Sequence, residues 1–524
     1  MSFKVVITTS GIGSRLGEFT KYTNKSLLRI GSKPAISYII ENYPNDTSFV
    51  ITLGYFGQQV REFLEIAYPH HSFEFVTVDQ YEGGRSSLLY SLSQAKHFLQ
   101  EPFIFHASDT IVLDKIPPPS KNWNGGFRGK GSSNYASFDV LGGKVSAVYE
   151  KGNLAPDLLH IGLVGIFDFS LFWELADKAL HKKNYAGSLG DVDVLIQMVQ
   201  EVDFDGIKFE RWLDIGNVDK MNEAKAVLDK GDVHVLDKTG ESIFKVDNHI
   251  VKFFYDKQIL KNRVLRNKIL KGIVPEIDSY KTHFYRYPYV EGQLYATIAN
   301  SSNFLDFLEW AKKNLWKSVP AIERKKMNDL CEDFYFKKTQ KRLNDFYLSR
   351  GISDKEEFIN GLLVPPVSVL LEGIDKEWIC DAIPSLFHGD FILDNILKVE
   401  DGNYVLVDWR QDFSGQLEAG DMYYDLGKLA HNLVVNHEMI DENNFKIVKS
   451  RNGEVSINIH RFHTLVECEK ILYDWLVKNE YNTKKVEILR AIIWLNMSPL
   501  HHHPFDLFLY YFGKLNLYTA LNMR

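Results

Sequence analysis

A chain of 524 residues, 45% hydrophobic and 25% charged, has the composition of a soluble globular protein and the length of two or three domains. Its 61 basic and 68 acidic residues leave a net charge of -7, which gives no polyanion-binding surface, so nucleic acid is not an expected partner. Cys331, Cys380 and Cys468 are far apart and odd in number, which excludes a disulfide framework and a zinc pattern and fits a reducing cytoplasm.

The N-terminus runs directly into "FKVVITTSG", without a basic region, apolar core or cleavage site, and no targeting segment is expected. No stretch approaches the roughly 18 uninterrupted apolar residues of a membrane span. "KVVITT" predicts a strand, "PAISYIIENY" a helix opened by Pro34, and "SFVITLG" a second strand. "GQQVREFLEIAY" reads as helix, "FEFVTV" as strand, "SSLLYSLSQAKHFL" as helix and "PFIFHASD" as strand. Strand and helix in turn imply crossovers and a mainly parallel sheet covered on both faces. Sites in such sheets gather at the carboxyl ends of strands, where both "TTSGIGSRLG" and "HASDT" fall. "MNEAKAVLDKG" predicts a closing helix, and "KTGESIFKVDNHIVKFFYD" a hairpin turning at Asp247 and Asn248. Helical, aromatic-rich sequence follows from about residue 300, so a domain boundary is expected at 228–238. Near the C-terminus, "HHHPFD" at 501–506 is a poor metal site, because three adjacent side chains point in different directions.

In "SGIGSRLGEFTKYTNKSLL", small residues after a strand let backbone N–H groups approach phosphate oxygens, and Arg15 and Lys25 offset triphosphate charge. Residues 1–230 resemble the sugar-phosphate and choline-phosphate nucleotidyltransferases. The pattern is carried by Gly11, Gly13, Ser14, Arg15, Leu16, Lys25 and "SKPAISYII". Two positions depart from it: Thr9-Ser10-Gly11 replaces Ala-Ala-Gly, and Asn24 replaces the proline before the lysine. The resemblance implies a GT-A/Rossmann-like α/β domain with a mixed, mostly parallel sheet. It implies that Asp109 of "FHASDTIV" and Asp214 of "WLDIGNVDKMNEA" hold Mg²⁺, whose preference for hard oxygens suits carboxylates and phosphates. Taken alone, Asp214 also reads as a helix N-cap. Glu150 and Lys151 of "VSAVYEKGN" match the family's substrate motif, Lys151 for the phosphate and Glu150 for a hydroxyl or cation; an exposed charge pair is the other reading. Ser86 opens "SSLLYSL", which resembles the choline-phosphate and phosphonate branch and points to a pyrimidine nucleotide, CTP.

"HGDFILDN" fits H-x-D-x-x-x-x-N, and "VLVDW" supplies Asp408. In a kinase one carboxylate, here Asp390, accepts the substrate hydroxyl's proton, while Asn395 and Asp408 hold Mg²⁺ on the phosphates of ATP. Residues 238–524 resemble the aminoglycoside phosphotransferase and choline kinase superfamily, which implies an α+β protein-kinase-like domain. The resemblance makes Asp421 and Asp425 a buried brace, the backbone of Tyr289–Glu291 an adenine-binding hinge, and Lys252 the phosphate-binding strand lysine, with Lys245 as its rival. The nucleotide loop carries only Gly240, and "YDKQILKNRVLRNKILKG" offers no glutamate to pair with Lys252. Trp310, Trp316, Tyr335, Trp494 and Tyr511 are either a cage for a quaternary ammonium or simple core.

The two constellations together describe a bifunctional enzyme. Its kinase phosphorylates a small alcohol with ATP, and its nucleotidyltransferase joins the phosphomonoester to CMP for surface polysaccharide or lipid decoration. The alternatives are a sugar 1-kinase with a sugar-1-phosphate nucleotidyltransferase, and a nucleotidyltransferase with a regulatory pseudokinase. A homo-oligomer is compatible with either.

Overall fold

The apolar run Lys4–Thr8 forms strand β1, and the next strands follow in βα alternation. They are α1 (Ala35–Ile40), β2 (Ser48–Leu53), α2 (Gly57–Ala67), β3 (Ser72–Thr77), α3 (Leu88–Gln94) and β4 (Phe103–Ala107). Each of these matches a segment whose periodicity predicted it, and Pro34 is the N-cap of α1. The computed structural model describes residues 3–84, 86–129, 133–153, 155–182, 189–229, 240–320 and 322–523.

Beyond β4 the chain changes style. It forms β5 (Thr110–Val112), β6 (Trp123–Phe127), β7 (Ser137–Leu141), β8 (Lys144–Tyr149), β9 (Leu158–Ile166), α4 (Phe169–Lys182), α5 (Asp191–Met198), β10 (Asp205–Lys208), β11 (Trp212–Asp214) and α6 (Val218–Leu228). The main sheet has nine strands in the order β3-β2-β1-β4-β9-β6-β10-β8-β7. From β3 to β4 every pairing is parallel, whereas β9 runs antiparallel to β4, β6 and β7, and β8 antiparallel to β7 and β10. The sheet is therefore half parallel rather than mostly parallel. The reason lies in the connections: β7 and β8 are joined by a tight hairpin at Gly142 and Gly143, which can only make an antiparallel pair.

One apolar face of the sheet buries Val5, Ile7, Phe49, Ile51 and Ile104 beneath α1 and α2, and the other buries Val6, Val50, Phe103 and Phe105 beneath α3 and α4. Inside the sheet Gly165 of β9 is paired with Trp123 of β6. A Cβ at Gly165 would lie 2.1 Å from the indole Nε1 of the buried Trp123, so only glycine fits under that ring.

The hairpin β12 (Glu241–Val246) and β13 (His249–Phe254) turns at Asp247 and Asn248 as expected, with Asp247 at φ 48°. With β14 (Ser279–Tyr280) and β15 (Phe284–Pro288), which follow α7 (Lys257–Ile269), it makes a four-stranded sheet. Phe244, Val246, Val251, Phe253 and Phe284 share a core with Phe63 of α2, and Glu62 accepts from the His283 N–H at 2.9 Å. This sheet therefore belongs to the first of two compact units, 1–260 with 277–289, while 261–276 with 290–524 form the second. The boundary expected at 228–238 falls largely outside the described residues. Gly240 is not in the hairpin turn but at its open end, where its carbonyl accepts from the Tyr255 N–H.

The second unit is mainly helical around a small sheet of β16 (Gln293–Leu294), β17 (Ile396–Lys398) and β18 (Tyr404–Leu406). Its long helices include α8 (Lys338–Arg350), α9 (Met422–Asn432), α10 (Thr483–Met497) and α11 (Phe505–Asn522). Every residue of α9 is buried, which makes it the central strut of this unit. Among the described residues no helix is long and apolar enough to cross a membrane.

Gly165→Ala is expected to lower the stability of the first unit by about 1–3 kcal/mol through overpacking against Trp123. Urea denaturation followed by tryptophan fluorescence checks it.

Candidate active sites

The loop after β1 turns at Gly13, whose φ of 71° is left-handed and whose missing side chain lets Lys25 pass close by; a Cβ there would be 3.1 Å from Lys25 Cβ. Ser14 and Arg15 follow, both exposed at the start of a 3₁₀ turn, and Gly11 has open space around it. Asn24, the position that departs from the family pattern, is fully buried and carries much of this loop. Its amide donates to the Thr9 carbonyl at 2.9 Å and to the Tyr55 carbonyl at 2.6 Å, while its Oδ1 accepts from the Ser26 N–H and hydroxyl. It thus ties the glycine loop to the end of β2 and caps the short turn that presents Lys25. A proline could do none of this, and a lone Asn in a sequence gives no sign of it.

Asp109 and Asp214 are distant in sequence and adjacent in space. β5 and β11 pair antiparallel with Asp214 opposite Thr110, and the Ile215 N–H donates to the Asp109 carbonyl at 3.0 Å. Lys25 Nζ donates to Asp109 Oδ2 at 3.0 Å. Burial alone would raise the Asp109 pKa, but Lys25, with Arg15 behind it, holds it below the ordinary carboxylate value. Asp214 accepts from the Tyr135 hydroxyl at 2.5 Å and from the Gly216 N–H at 2.7 Å. The Arg15 guanidinium reaches the same turn, 3.2 Å from where a Gly216 Cβ would stand. The capping reading of Asp214 falls to Asn217, whose side chain accepts from the Lys220 N–H at the start of α6. Beneath Asp109, buried His106 bonds the Tyr43 hydroxyl at 2.8 Å and the Thr110 carbonyl at 2.9 Å. Burial pushes its pKa down to about 4, so it stays neutral and fixes the bend between β4 and β5.

Two carboxylates with hard oxygens, beside two cations and a glycine turn, fit a divalent cation carried by a triphosphate, which needs only one or two protein ligands. Among the described residues no group of three or more His, Cys, Asp or Glu could hold a metal by itself. Glu150 and Lys151 lie exposed just beyond β8, and no hydrogen bond or ion pair ties them to Asp109 or Asp214. Ser86 is half-buried one residue before Ser87, the residue that caps α3 by accepting from the Tyr90 N–H.

The second unit assembles the C-terminal constellation. Asn395 Nδ2 donates to the Asp390 carbonyl at 2.9 Å and to its carboxylate at 3.3 Å, and the buried Lys428 of α9 holds the other Asp390 oxygen at 2.7 Å. Asp408 sits at φ 58°, a strained conformation for a non-glycine residue, and pairs with Arg263 of α7. The helix that lacks a glutamate thus supplies arginines. Arg266, fully buried, lies 3.8 Å over Phe387 and donates to the carbonyls of Phe387, His388, Arg410 and Leu417. Burial lowers its pKa to about 9, which leaves it charged at neutral pH. Asp425 accepts from the His388 and Gly389 N–H groups at 2.8 and 2.7 Å, and Asp421 from the Tyr335 hydroxyl at 2.8 Å. Burial raises both carboxyls, Asp425 to about 6. The oxygens of Asn395 and Asp408 are hard donors that suit Mg²⁺, although Arg263 already holds one Asp408 oxygen.

Lys252 and Tyr289 belong to the first compact unit, and Glu291, exposed, to the second. Lys252 is buried on the β13 face opposite Val251 and Phe253, whereas Lys245 lies 3.9 Å over the Tyr289 ring. The five aromatics do not form a cage. Trp316 bonds Asp425, Tyr335 bonds Asp421, Tyr511 bonds Glu357 and Trp310 bonds Asn403, while Trp494 packs on Phe512. Of the three adjacent histidines, His501 packs on Phe505, His502 bonds the His503 carbonyl, and His503 faces Asp506.

No protein-family model matches the chain. An 83-residue stretch, 15% of the chain, is 35% identical to a probable glucose-1-phosphate cytidylyltransferase of Bacillus subtilis (strain 168), and it spans about a third, 32%, of that relative. Among solved structures, the CTP:phosphocholine cytidylyltransferase of Streptococcus pneumoniae is 20% identical, with 44% of this chain and 100% of that chain covered at a TM-score of 0.37. The inositol-1-phosphate CTP transferase of T. maritima is 14% identical, covering 44% and 98% at a TM-score of 0.34. Over that 83-residue stretch the chain is similar to a nucleotidyltransferase.

His106 predicts acid sensitivity of the first unit. Its pKa is lowered on folding, so the unfolded chain binds more protons between about pH 6.5 and 4, and stability is lost as the pH falls through that window. His106→Gln is expected to be less stable than the parent at pH 7 and to lose stability less steeply on acidification, measured by urea denaturation across that range.

Proposed function

We propose that residues 1–230 transfer a nucleotidyl group, CMP from CTP, to a phosphomonoester, and that residues 238–524 make that phosphomonoester from a small alcohol and ATP. The observation that carries the first half is the Asp109–Asp214 pair, side by side with Lys25 and Arg15 on a glycine turn. An oxygen of the phosphomonoester attacks the α-phosphorus of CTP, the bond to the β-phosphate oxygen breaks, and pyrophosphate leaves. Lys25 and Arg15 offset the charge that builds on the phosphates, and Asp109 and Asp214 would hold Mg²⁺. That ion, when bound, neutralises phosphate charge and aligns the leaving group. Glu150, Lys151 and Ser86 would receive the acceptor, Lys151 its phosphate. The 35% identity of one stretch to a probable glucose-1-phosphate cytidylyltransferase favours CTP.

In the second half Asp390 takes the hydroxyl proton as the alcohol oxygen bonds to the γ-phosphorus of ATP and ADP departs. Lys428 and Asn395 fix the Asp390 carboxylate for this role, and Asn395 and Asp408 would hold the Mg²⁺ of ATP. The kinase product is of the class the transferase consumes, which gives a reason for one chain to hold both. Its CDP-activated product would serve surface polysaccharide or lipid decoration in the cytoplasm. A sugar acceptor giving an NDP-sugar is the variant of this reading. A second reading, nucleotide binding without phosphoryl transfer, is favoured by one observation, the Arg263 guanidinium on Asp408.

Mass spectrometry of the full chain with ATP, Mg²⁺, one of CTP, UTP, GTP or dTTP, and pooled alcohols and sugars tests the coupling. A nucleotide-diphosphate adduct that depends on ATP is expected. Asp390→Asn should lose it by about 10²-fold or more yet still use supplied phosphomonoesters, and Asp109→Asn should lose transfer but keep phosphorylation. Transfer that survives Asp109→Asn, or an adduct indifferent to Asp390→Asn, would overturn the respective half.

A further inference from the structure

Near the Asp390 loop the second unit gathers three basic side chains, Lys338, Arg342 and Arg410, around Phe334 and the start of α8. Phe334, just before α8, is stacked on one face by Phe413 at 4.4 Å. The same ring meets Tyr424 edge-on at 4.8 Å, Lys338 Nζ 4.0 Å from its centre and the Arg410 guanidinium 4.9 Å away. Arg342 lies one turn beyond Lys338 on α8, so both project from the same face of the helix. Arg410 follows Asp408 by two residues, and its N–H donates to the His388 carbonyl at 3.0 Å, two residues before Asp390. Lys428, paired with Asp390, adds a fourth basic side chain.

Among the described residues no carboxylate stands within ion-pair distance of Lys338, Arg342 or Arg410. Arg342 donates only to the Asn496 carbonyl, at 3.2 Å, and Arg410 Nε is buried without a hydrogen-bond partner. Burial and the repulsion of Arg410, Arg342 and Lys428 push the Lys338 pKa down to about 5, with Asp412 opposing them, so the empty site leaves this amine neutral at pH 7 and a bound anion would draw a proton onto it. Asp412 itself accepts from Asn262 at 3.3 Å and from the Gly415 N–H at 2.9 Å. Charging such half-buried groups together costs stability unless something negative completes them.

We propose that Lys338, Arg342 and Arg410 form an anion-binding site beside Asp390, and that the alcohol phosphorylated there carries a carboxylate or a phosphate. This deepens the kinase reading of residues 238–524 and rests on it. The anion would lie on Lys338 and Arg342, with the hydroxyl toward Asp390. A quaternary ammonium or polyamine would meet repulsion at this surface, which removes choline from the acceptors that the site suits.

Isothermal titration of the full chain with inorganic phosphate, with citrate and with Mg·ATP, on the parent, Lys338→Met, Arg342→Met and the charge-keeping Lys338→Arg, tests this. The parent is expected to bind phosphate or citrate. The methionine variants should bind that probe at least tenfold more weakly, with Mg·ATP affinity unchanged, while Lys338→Arg retains the probe even if a methionine variant fails to fold. Tighter phosphate than citrate indicates a phosphate-bearing acceptor, and the reverse a carboxylate. No binding by the parent, equal binding by all variants, or loss of Mg·ATP by the same factor would overturn the proposal; the last would assign the cations to the nucleotide. Anion binding needs no turnover, so a parent that binds the probe yet phosphorylates nothing would sink the kinase reading alone.

Discussion

The N-terminal site depends on one short pairing, β5 against β11. It places Asp109 and Asp214, carboxylates from distant parts of the chain, on adjacent backbone and holds them there through the Ile215 N–H. Lys25 and Arg15 offset the charge of Asp109, and Tyr135 donates to Asp214. Those cations are present only because the loop after β1 is folded back, which in turn depends on buried Asn24 bridging Thr9 and Tyr55. The site is thus charge-balanced before any ligand arrives, and a metal with its triphosphate would exchange partners within a set already in place.

The second unit solves a like problem by other means. The loop that carries Asp390 is not self-supporting: four backbone carbonyls converge on the buried Arg266, and two backbone N–H groups converge on buried Asp425. A buried cation and a buried acid each satisfied by main chain give a rigid frame, at the cost of the desolvation that pulls Arg266 down and pushes Asp425 up. Asp390, Asn395 and Lys428 then lock one another in a small network on that frame. Lys338, Arg342 and Arg410, around Phe334, have no carboxylate within ion-pair distance among the described residues, although the Arg410 backbone is itself part of that frame.

What the sequence made legible follows from which interactions are local. The βα alternation through residue 107 was readable because strand and helix periodicities are local, and the glycine turn with Arg15 and Lys25 because its residues are contiguous. The half-antiparallel character of the sheet was not, since it depends on which strands the hairpin at Gly142 and Gly143 brings together. That Asp214 meets Asp109 rather than capping α6 could only be resolved by knowing that Asn217 takes the cap. Asn24, His106, Arg263 and Arg266 went unnoticed because each acts through tertiary partners that leave no periodic or motif signal.

The central claim is that Asp109 and Asp214 together receive a metal-bound triphosphate. Electron paramagnetic resonance of Mn²⁺ with CTP and the full chain measures that directly, without turnover. The account predicts that Asp109→Asn and Asp214→Asn each weaken Mn²⁺·CTP binding by at least tenfold while Asp390→Asn leaves it unchanged. Binding that survives both N-terminal substitutions would contradict it.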